Sequence, residues 1–219
     1  MNKRKKKNTA VTGAAITIIL LLISLIRPDL VLKPVSGNYG GTGEDLPIVV
    51  PSGTEAEGIM PDGFIHARVT RIVDGDTLEA EYKNKEYKVR LLCVDTPETK
   101  KSGVDVQPYG KQASEKLGEM TLDKNVTMVF EKDVDDRYDR LLAYIFTEDG
   151  SCVNTLLVEQ GYARVDIVKP NDVHKEYFYE LQEKAVEDGR GLWSLPEDKR
   201  PFVKNEKGYY VPRYVDEAA

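Results

Sequence analysis

Histidine is scarce in this chain, with two in 219 residues. His66 and His174 stand far apart, in neither an H-x-x-x-H nor a His-Lys-Asp arrangement. That sets aside a zinc centre and histidine-based hydrolytic chemistry, and each reads as a surface or capping residue. Cysteine is equally rare. Cys93 lies in an apolar strand and Cys152 just past a turn, so a single disulfide is open to an exported chain, but two buried small hydrophobes is the preferred reading. Gly-x-Gly-x-x-Gly, a Walker-type glycine loop and a serine nucleophile elbow are all missing, as is any internal repeat. Dinucleotide, P-loop and serine-hydrolase chemistries fall with them.

Basic excess is missing too. Formal net charge is −6, and Lys3, Arg4, Lys5, Lys6, Lys7 and Arg27 fall in the first 27 residues with no acid among them, so residues 28–219 carry −12. A polyanionic ligand therefore needs a few local cations and a metal ion to hold it.

What is present begins with "MNKRKKK", residues 1–9 forming a basic flank ahead of an apolar run from Ala10 to Ile26. No A-x-A pattern follows, only Arg27-Pro28-Asp29, which favours an uncleaved single-pass signal-anchor over a cleaved signal peptide. The basic flank then stays in the cytoplasm and the remainder faces outward. The alternative is secretion after cleavage. Residues 27–63, above all Pro34 to Gly63, are rich in Gly, Pro, Ser and acid without a period, the composition of a flexible tether. Thirty such residues have an r.m.s. span of roughly 30 Å.

From Phe64 to Ser194 the pattern is that of a folded domain. "FIHARVTRIV", "TLEAEYK" and "EYKVRLLCV" read as three strands joined by Asp74-Gly75-Asp76 and by a hairpin tip at Asn84, an antiparallel meander. Pro108 to Met120 has helical spacing, with Ala113, Leu117 and Met120 on one face. "VTMVFEK" and "LLAYIFT" add two strands; Val153–Gln160 and His174–Asp188 add two helices, stopped by Gly161 and Gly189. Five short strands with interposed helices suit an oligonucleotide-binding (OB) barrel, and an open α+β sheet fits as well. Residues 195–219 read as a short tail of mixed charge with no period.

"RLLCVDTPETK", Arg90 to Lys100, poses the functional question, because an apolar strand begins on a guanidinium and ends on two carboxylates. Asp74, Asp76, Asp95 and Glu98 all fall at turns or strand ends of one meander, where neighbouring strands bring such ends within about 5 Å. Carboxylates with a backbone carbonyl form a hard-oxygen set for calcium or magnesium. An EF-hand is excluded, since "DVDDRYDRLLAY" lacks the glycine and glutamate such a loop needs. Arg90 and Arg140 beside a cation and a carboxylate meet the needs of phosphodiester hydrolysis: positive charge for the pentacoordinate phosphate, and a base for water. Strand alternation sets a condition. Arg90 and Asp95 have odd separation and face opposite ways unless the strand bends before Pro97.

"VDGDT", "RLLCVDTPET", Tyr109-Gly110, "DRYDRLLAYIF", "VNTLLVEQGYARV", "KPNDVH" and "GLW", in this order and spacing, resemble the staphylococcal nuclease family over residues 64–194. The resemblance implies an OB barrel with three helices, a monomer, and calcium-dependent cleavage of DNA and RNA to 3'-phosphate products. Carried over residue by residue, it implies calcium ligands at Asp76, Asp95 and the Thr96 carbonyl, a general base at Glu98, and phosphate-binding arginines at Arg90 and Arg140. Tyr138 and Arg137 match positions at the nucleotide site, and Asp74 a supporting turn aspartate. Two departures stand out. Asp139 replaces a glycine, and the stretch "ARVDIVKP" puts Asp166, Ile167 and Val168 where two base-flanking tyrosines are expected.

Two other classes of function compete. A silent OB module binding nucleic acid or protein would not need the full set of Asp76, Arg90, Asp95, Glu98 and Arg140, and a calcium-binding surface protein would not need the arginines.

Overall fold

The computed structural model describes residues 48–49, 51–99 and 105–213. The elements are β1 (Phe64–Asp74), β2 (Thr77–Tyr82), β3 (Lys85–Leu91), α1 (Gly110–Thr121), β4 (Asn125–Val129), β5 (Leu141–Phe146), α2 (Val153–Glu159), α3 (Lys175–Glu187), β6 (Phe202–Lys204) and β7 (Tyr210–Pro212). The first five strands close into a barrel in the order β1-β2-β3-β5-β4, which meets the OB-barrel expectation and removes the open sheet.

β1 closes the barrel because it serves two neighbours. Phe64 to Arg68 pairs with β4, while Arg68 to Asp74 pairs with β2 through two register shifts. Such irregularities add bend and twist, which closure requires. Its alternation follows from the same role: Ile65, Ala67 and Val69 are buried, His66 and Arg68 exposed. β5 does not alternate, and all six of its residues are buried. One side faces the barrel interior and the other lies under the helical layer, so neither face meets water.

The pairing that matters most for function is β3 with β5, parallel, with Arg90 opposite Leu142. Parallel neighbours need a long crossover, so the meander pattern could not reveal it. It places Arg90 two residues along from Arg140. Asn154, buried on α2, staples the same junction: its Nδ2 donates to the Leu92 and Ala143 carbonyls at 2.9 and 3.1 Å, and its Oδ1 accepts from the Ile145 N–H at 2.9 Å. Asn154→Ala removes three buried hydrogen bonds and should cost about 3 kcal/mol, at ~1 kcal/mol each and more where a group is left unpaired. Denaturant titration reads this directly, and a loss below about 1 kcal/mol would show that the junction holds without it.

α1 buries Ala113, Leu117 and Thr121 on one stripe, as its spacing predicts, with Met120 half-buried beside them. Gly161 and Gly189 follow α2 and α3 with φ of +73° and +61°. Both cysteines are buried free thiols, pushed up by burial to about 12 for Cys93 and about 11 for Cys152. His66 is exposed and bonded to the Thr127 hydroxyl; His174 caps α3 by position and packs edge-on to Tyr144.

Two expected boundaries move outward. Ile48 and Ile59 pack on the core, Ala56 N–H donates to the Phe64 carbonyl, and Lys83 Nζ donates to the Glu57 carbonyl, so the end of the supposed tether lies against the barrel. The supposed tail forms the β6–β7 hairpin, with Phe202 buried against Trp193 and the Tyr210 ring 4.5 Å from Trp193. Three aromatic rings supply burial that a lack of periodicity conceals. The apolar run Ala10–Ile26 lies outside the described residues, among which no helix is long and apolar enough to cross a membrane.

Candidate active site

Register alone assembles one wall of the site. Thr77 pairs with Arg90 across β2 and β3, and Leu91 N–H donates to the Asp76 carbonyl, so Asp76 stands beside Arg90 at the barrel's end. The bend that Asp95 needs also occurs. β3 stops at Leu91, and Cys93 takes φ +61°, which reverses the chain and turns Asp95 back toward Arg90. Left-handed backbone at a cysteine carries no sequence signature. Arg90 then bridges both carboxylates, through Nη1 to Asp76 Oδ2 and Nη2 to Asp95 Oδ1 at 3.4 Å. The first contact is an ion pair and not an aligned hydrogen bond, and Nη1 is left without an acceptor in line with its N–H.

Asp76 is held from behind. Thr96 donates to its Oδ2 through N–H at 3.1 Å and hydroxyl at 3.2 Å, and the Thr77 hydroxyl donates to Oδ1 at 2.8 Å. Asp74 shapes the turn: its Oδ1 accepts from Gly75 N–H at 2.8 Å and from the Thr99 hydroxyl at 2.9 Å, tying the turn to the loop after β3. A side chain at Gly75 would meet Thr96 Oγ1 at 2.7 Å and Ala113 Cβ at 2.8 Å, so only glycine lets the turn come this close. Glu98 is half-buried and fixed through its backbone, which pairs with Gln107 on both sides.

These residues line one cleft of about 280 Å³, with Asp74, Asp76, Asp95, Glu98, Arg90 and Arg140 all on its wall, and Lys88 added. A larger hollow of about 670 Å³ between Lys116 and Leu156 also gathers carboxylates and lysines but no arginine, so neither size nor charge alone locates the site. Arg137 and Tyr138 line an adjoining hollow of about 460 Å³, which shares Arg140 with the cleft. Tyr138 is 61% exposed, with the Arg137 and Arg140 guanidiniums 4.8 and 5.4 Å from its ring centre. From the stretch lacking tyrosines, Val168 reaches this hollow, Ile167 packs on the core, and Asp166 pairs with Arg164.

Asp136 organises the loop that carries Arg140. Its Oδ1 accepts from the Tyr138 and Arg140 N–H groups, and its Oδ2 accepts from Arg140 Nε at 2.8 Å and Nη2 at 2.6 Å. Burial works against this carboxylate, but the Arg140 guanidinium and both N–H groups outweigh it and hold it below its ordinary range. Asp139 follows with φ +57°, the conformation for which glycine is otherwise used.

Electrostatics define what the cleft lacks. Four carboxylates face three cations, so phosphate meets a wall that is negative on balance until another cation is present. Burial opposes the Arg90 charge, yet Asp76 and Asp95 hold it above its ordinary value. Burial pushes the Asp95 carboxyl up to about 6, against the pull of Arg164 and Arg90. Among the described residues no three His, Cys, Asp or Glu side chains form a metal cage. The oxygen donors on this wall, the Asp76 and Asp95 carboxylates among them, are hard ones, of the type that calcium and magnesium take.

The chain is also similar to known proteins. The family described as "Staphylococcal nuclease homologue" matches residues 88–195. Thermonuclease of Staphylococcus intermedius is 30% identical over 189 residues, 86% of this chain and 98% of that protein. The chain belongs to the staphylococcal nuclease family. Within it, thermonuclease of Staphylococcus hyicus is 35% identical over 127 residues, 58% of this chain and 75% of its own length. Endonuclease YncB of Bacillus subtilis (strain 168) is 39% identical over 144 residues, 65% of this chain. The chain spans 66% of YncB and 45% of the prophage-derived endonuclease YokF.

Proposed function

We propose that this member of the staphylococcal nuclease family is a calcium-dependent, sugar-nonspecific nuclease that hydrolyses DNA and RNA. The observation that carries this reading is the convergence of Asp76, Asp95, Glu98, Arg90 and Arg140 on one cleft. A silent binding module has no use for a candidate base beside two arginines and two cation-binding carboxylates.

Arg90 and Arg140 donate to the scissile phosphate, and their hold strengthens as negative charge gathers on its oxygens. Glu98 takes a proton from the attacking water. The new P–O bond forms as the bond to the 5' oxygen breaks, and that oxygen gains a proton to leave a 3'-phosphate and a 5'-hydroxyl. Asp76, Asp95 and the Thr96 carbonyl would hold calcium, which supplies the positive charge the cleft lacks. Purified full-length protein incubated with plasmid, single-stranded DNA and RNA should cut all three in calcium and none in excess chelator. Undiminished cleavage in chelator would overturn the metal assignment; tight DNA binding without cleavage in calcium would favour the silent module.

We also place the enzyme outside the cell as a monomer, with Ala10–Ile26 as its anchor and membrane contact. Full-length protein should sediment with membranes, and protease added to intact cells should release an active domain. A soluble product in the medium with a new N-terminus near residue 30 would instead mean signal cleavage.

A further inference from the structure

Arg164 has no role in the reading above, yet it is the most heavily engaged arginine near the cleft. It is 9% exposed. Its backbone forms a two-way bridge with Asp95, N–H to carbonyl in each direction at 3.0 and 2.9 Å. Its Nε donates to Asp95 Oδ2 at 2.8 Å, its Nη1 donates to the Val165 and Tyr210 carbonyls at 3.0 Å each, and its Nη2 pairs with Asp166 Oδ1 at 3.2 Å. The guanidinium carbon stands 5.6 Å from the centre of the Phe202 ring.

Two of these partners belong to the β6–β7 hairpin, which lies beyond the residues matched by the family description. The hairpin is itself fastened. Phe202 is buried, the Tyr210 ring packs tilted against Trp193, and Arg213 donates to the Arg200 and Glu197 carbonyls. A guanidinium so crowded has one position available, and that position fixes one oxygen of Asp95. With Oδ2 taken by Arg164, the other oxygen, Oδ1, is the one directed at Arg90.

We infer that Arg164, clamped by the C-terminal hairpin, is a positioning residue for Asp95, so that residues beyond the family-matched segment set how the cation-binding carboxylate is presented. This rests on the nuclease reading. Lysine at 164 keeps the charge but has one nitrogen where the fork engages Asp95, Asp166 and two carbonyls at once. The side chains behind metal ligands commonly govern affinity or activity by about 10- to 100-fold.

The test is a double-mutant cycle on the full-length protein with Arg164→Lys and Phe202→Ala, reading calcium affinity by titration calorimetry, kcat and KM on DNA, and melting temperature. Arg164→Lys should weaken calcium binding and lower kcat by about 10-fold or more, with KM for DNA within about twofold of wild type. Phe202→Ala should reproduce both losses in part, and the double variant should lose no more than Arg164→Lys alone. A merely structural role would lower the melting temperature and leave calcium affinity and kcat unchanged, which overturns the inference. If Phe202→Ala does not fold, Arg164→Lys decides. Wild type that neither binds calcium nor cuts would sink the nuclease reading itself, whereas wild type that does both while Arg164→Lys matches it sinks only the role of Arg164.

Discussion

Glu98→Gln should leave the protein binding DNA almost as tightly as before and cutting it about 10² to 10⁴ times more slowly, the range expected when a general base is lost. The substitution preserves size and shape, and the paired hydrogen bonds between the residue 98 backbone and Gln107 do not involve the carboxylate. Those bonds survive the change, so the fold and the cleft should survive with them. What disappears is the ability to accept a proton from water. Fluorescence anisotropy with a labelled oligonucleotide gives the affinity, and single-turnover cleavage in calcium gives the rate. A rate within a few-fold of wild type would remove Glu98 from the chemistry and pass the task of activating water to another group.

Arg140→Lys tests the opposite side of the cleft. Nε and Nη2 of Arg140 both engage Asp136 Oδ2, so the guanidinium is held flat and pre-aimed by its own loop. A lysine retains the positive charge and loses the fork, and its ammonium cannot both hold Asp136 and present a second donor at a set angle to phosphate. Removal of one transition-state donor typically costs about 10² to 10³ in kcat. The loss should therefore fall on kcat, with KM for long DNA changing little because the charge remains. A rise in KM at constant kcat would instead make Arg140 a ground-state anchor. The adjoining hollow around Tyr138 would then be the main grip on the nucleotide.

The two substitutions separate the proposed enzyme from its rivals. A silent module is indifferent to Glu98→Gln, and a calcium-binding surface protein is indifferent to Arg140→Lys. Asn154 offers a contrast, because its loss weakens the β3–β5 junction and lowers stability before it touches chemistry.

Most strands and all three helices were legible because their cause is local. β1 alternates through Val69 since one of its faces is wet, α1 repeats its small and apolar residues every fourth position, and glycines follow α2 and α3. The candidate site was legible in its chemistry for a related reason. Few structural demands place Asp, Glu and Arg together at the exits of apolar strands, so their presence at 76, 90, 95, 98 and 140 pointed to a cation and a phosphate before any geometry was available. The outer boundaries were misread where composition misleads. Polar, glycine-containing stretches at both ends of the domain still pack when a few apolar or aromatic residues, such as Ile59, Phe202 and Tyr210, find a surface.

By itself the sequence determined the class of chemistry, the candidate residues for it and most of the local elements that carry them, because hydrophobic period, turn chemistry and donor type are properties of neighbours along the chain. Only the tertiary structure decided that β3 runs parallel to β5, that the left-handed Cys93 turns Asp95 back toward Arg90, that Asp136 aims Arg140, and that Arg164 ties Asp95 to the C-terminal hairpin. Each of these except the Asp136 contact depends on backbone reversal or on contact between residues distant in sequence. The geometry of a long closed loop leaves no periodic trace in the residues it brings together.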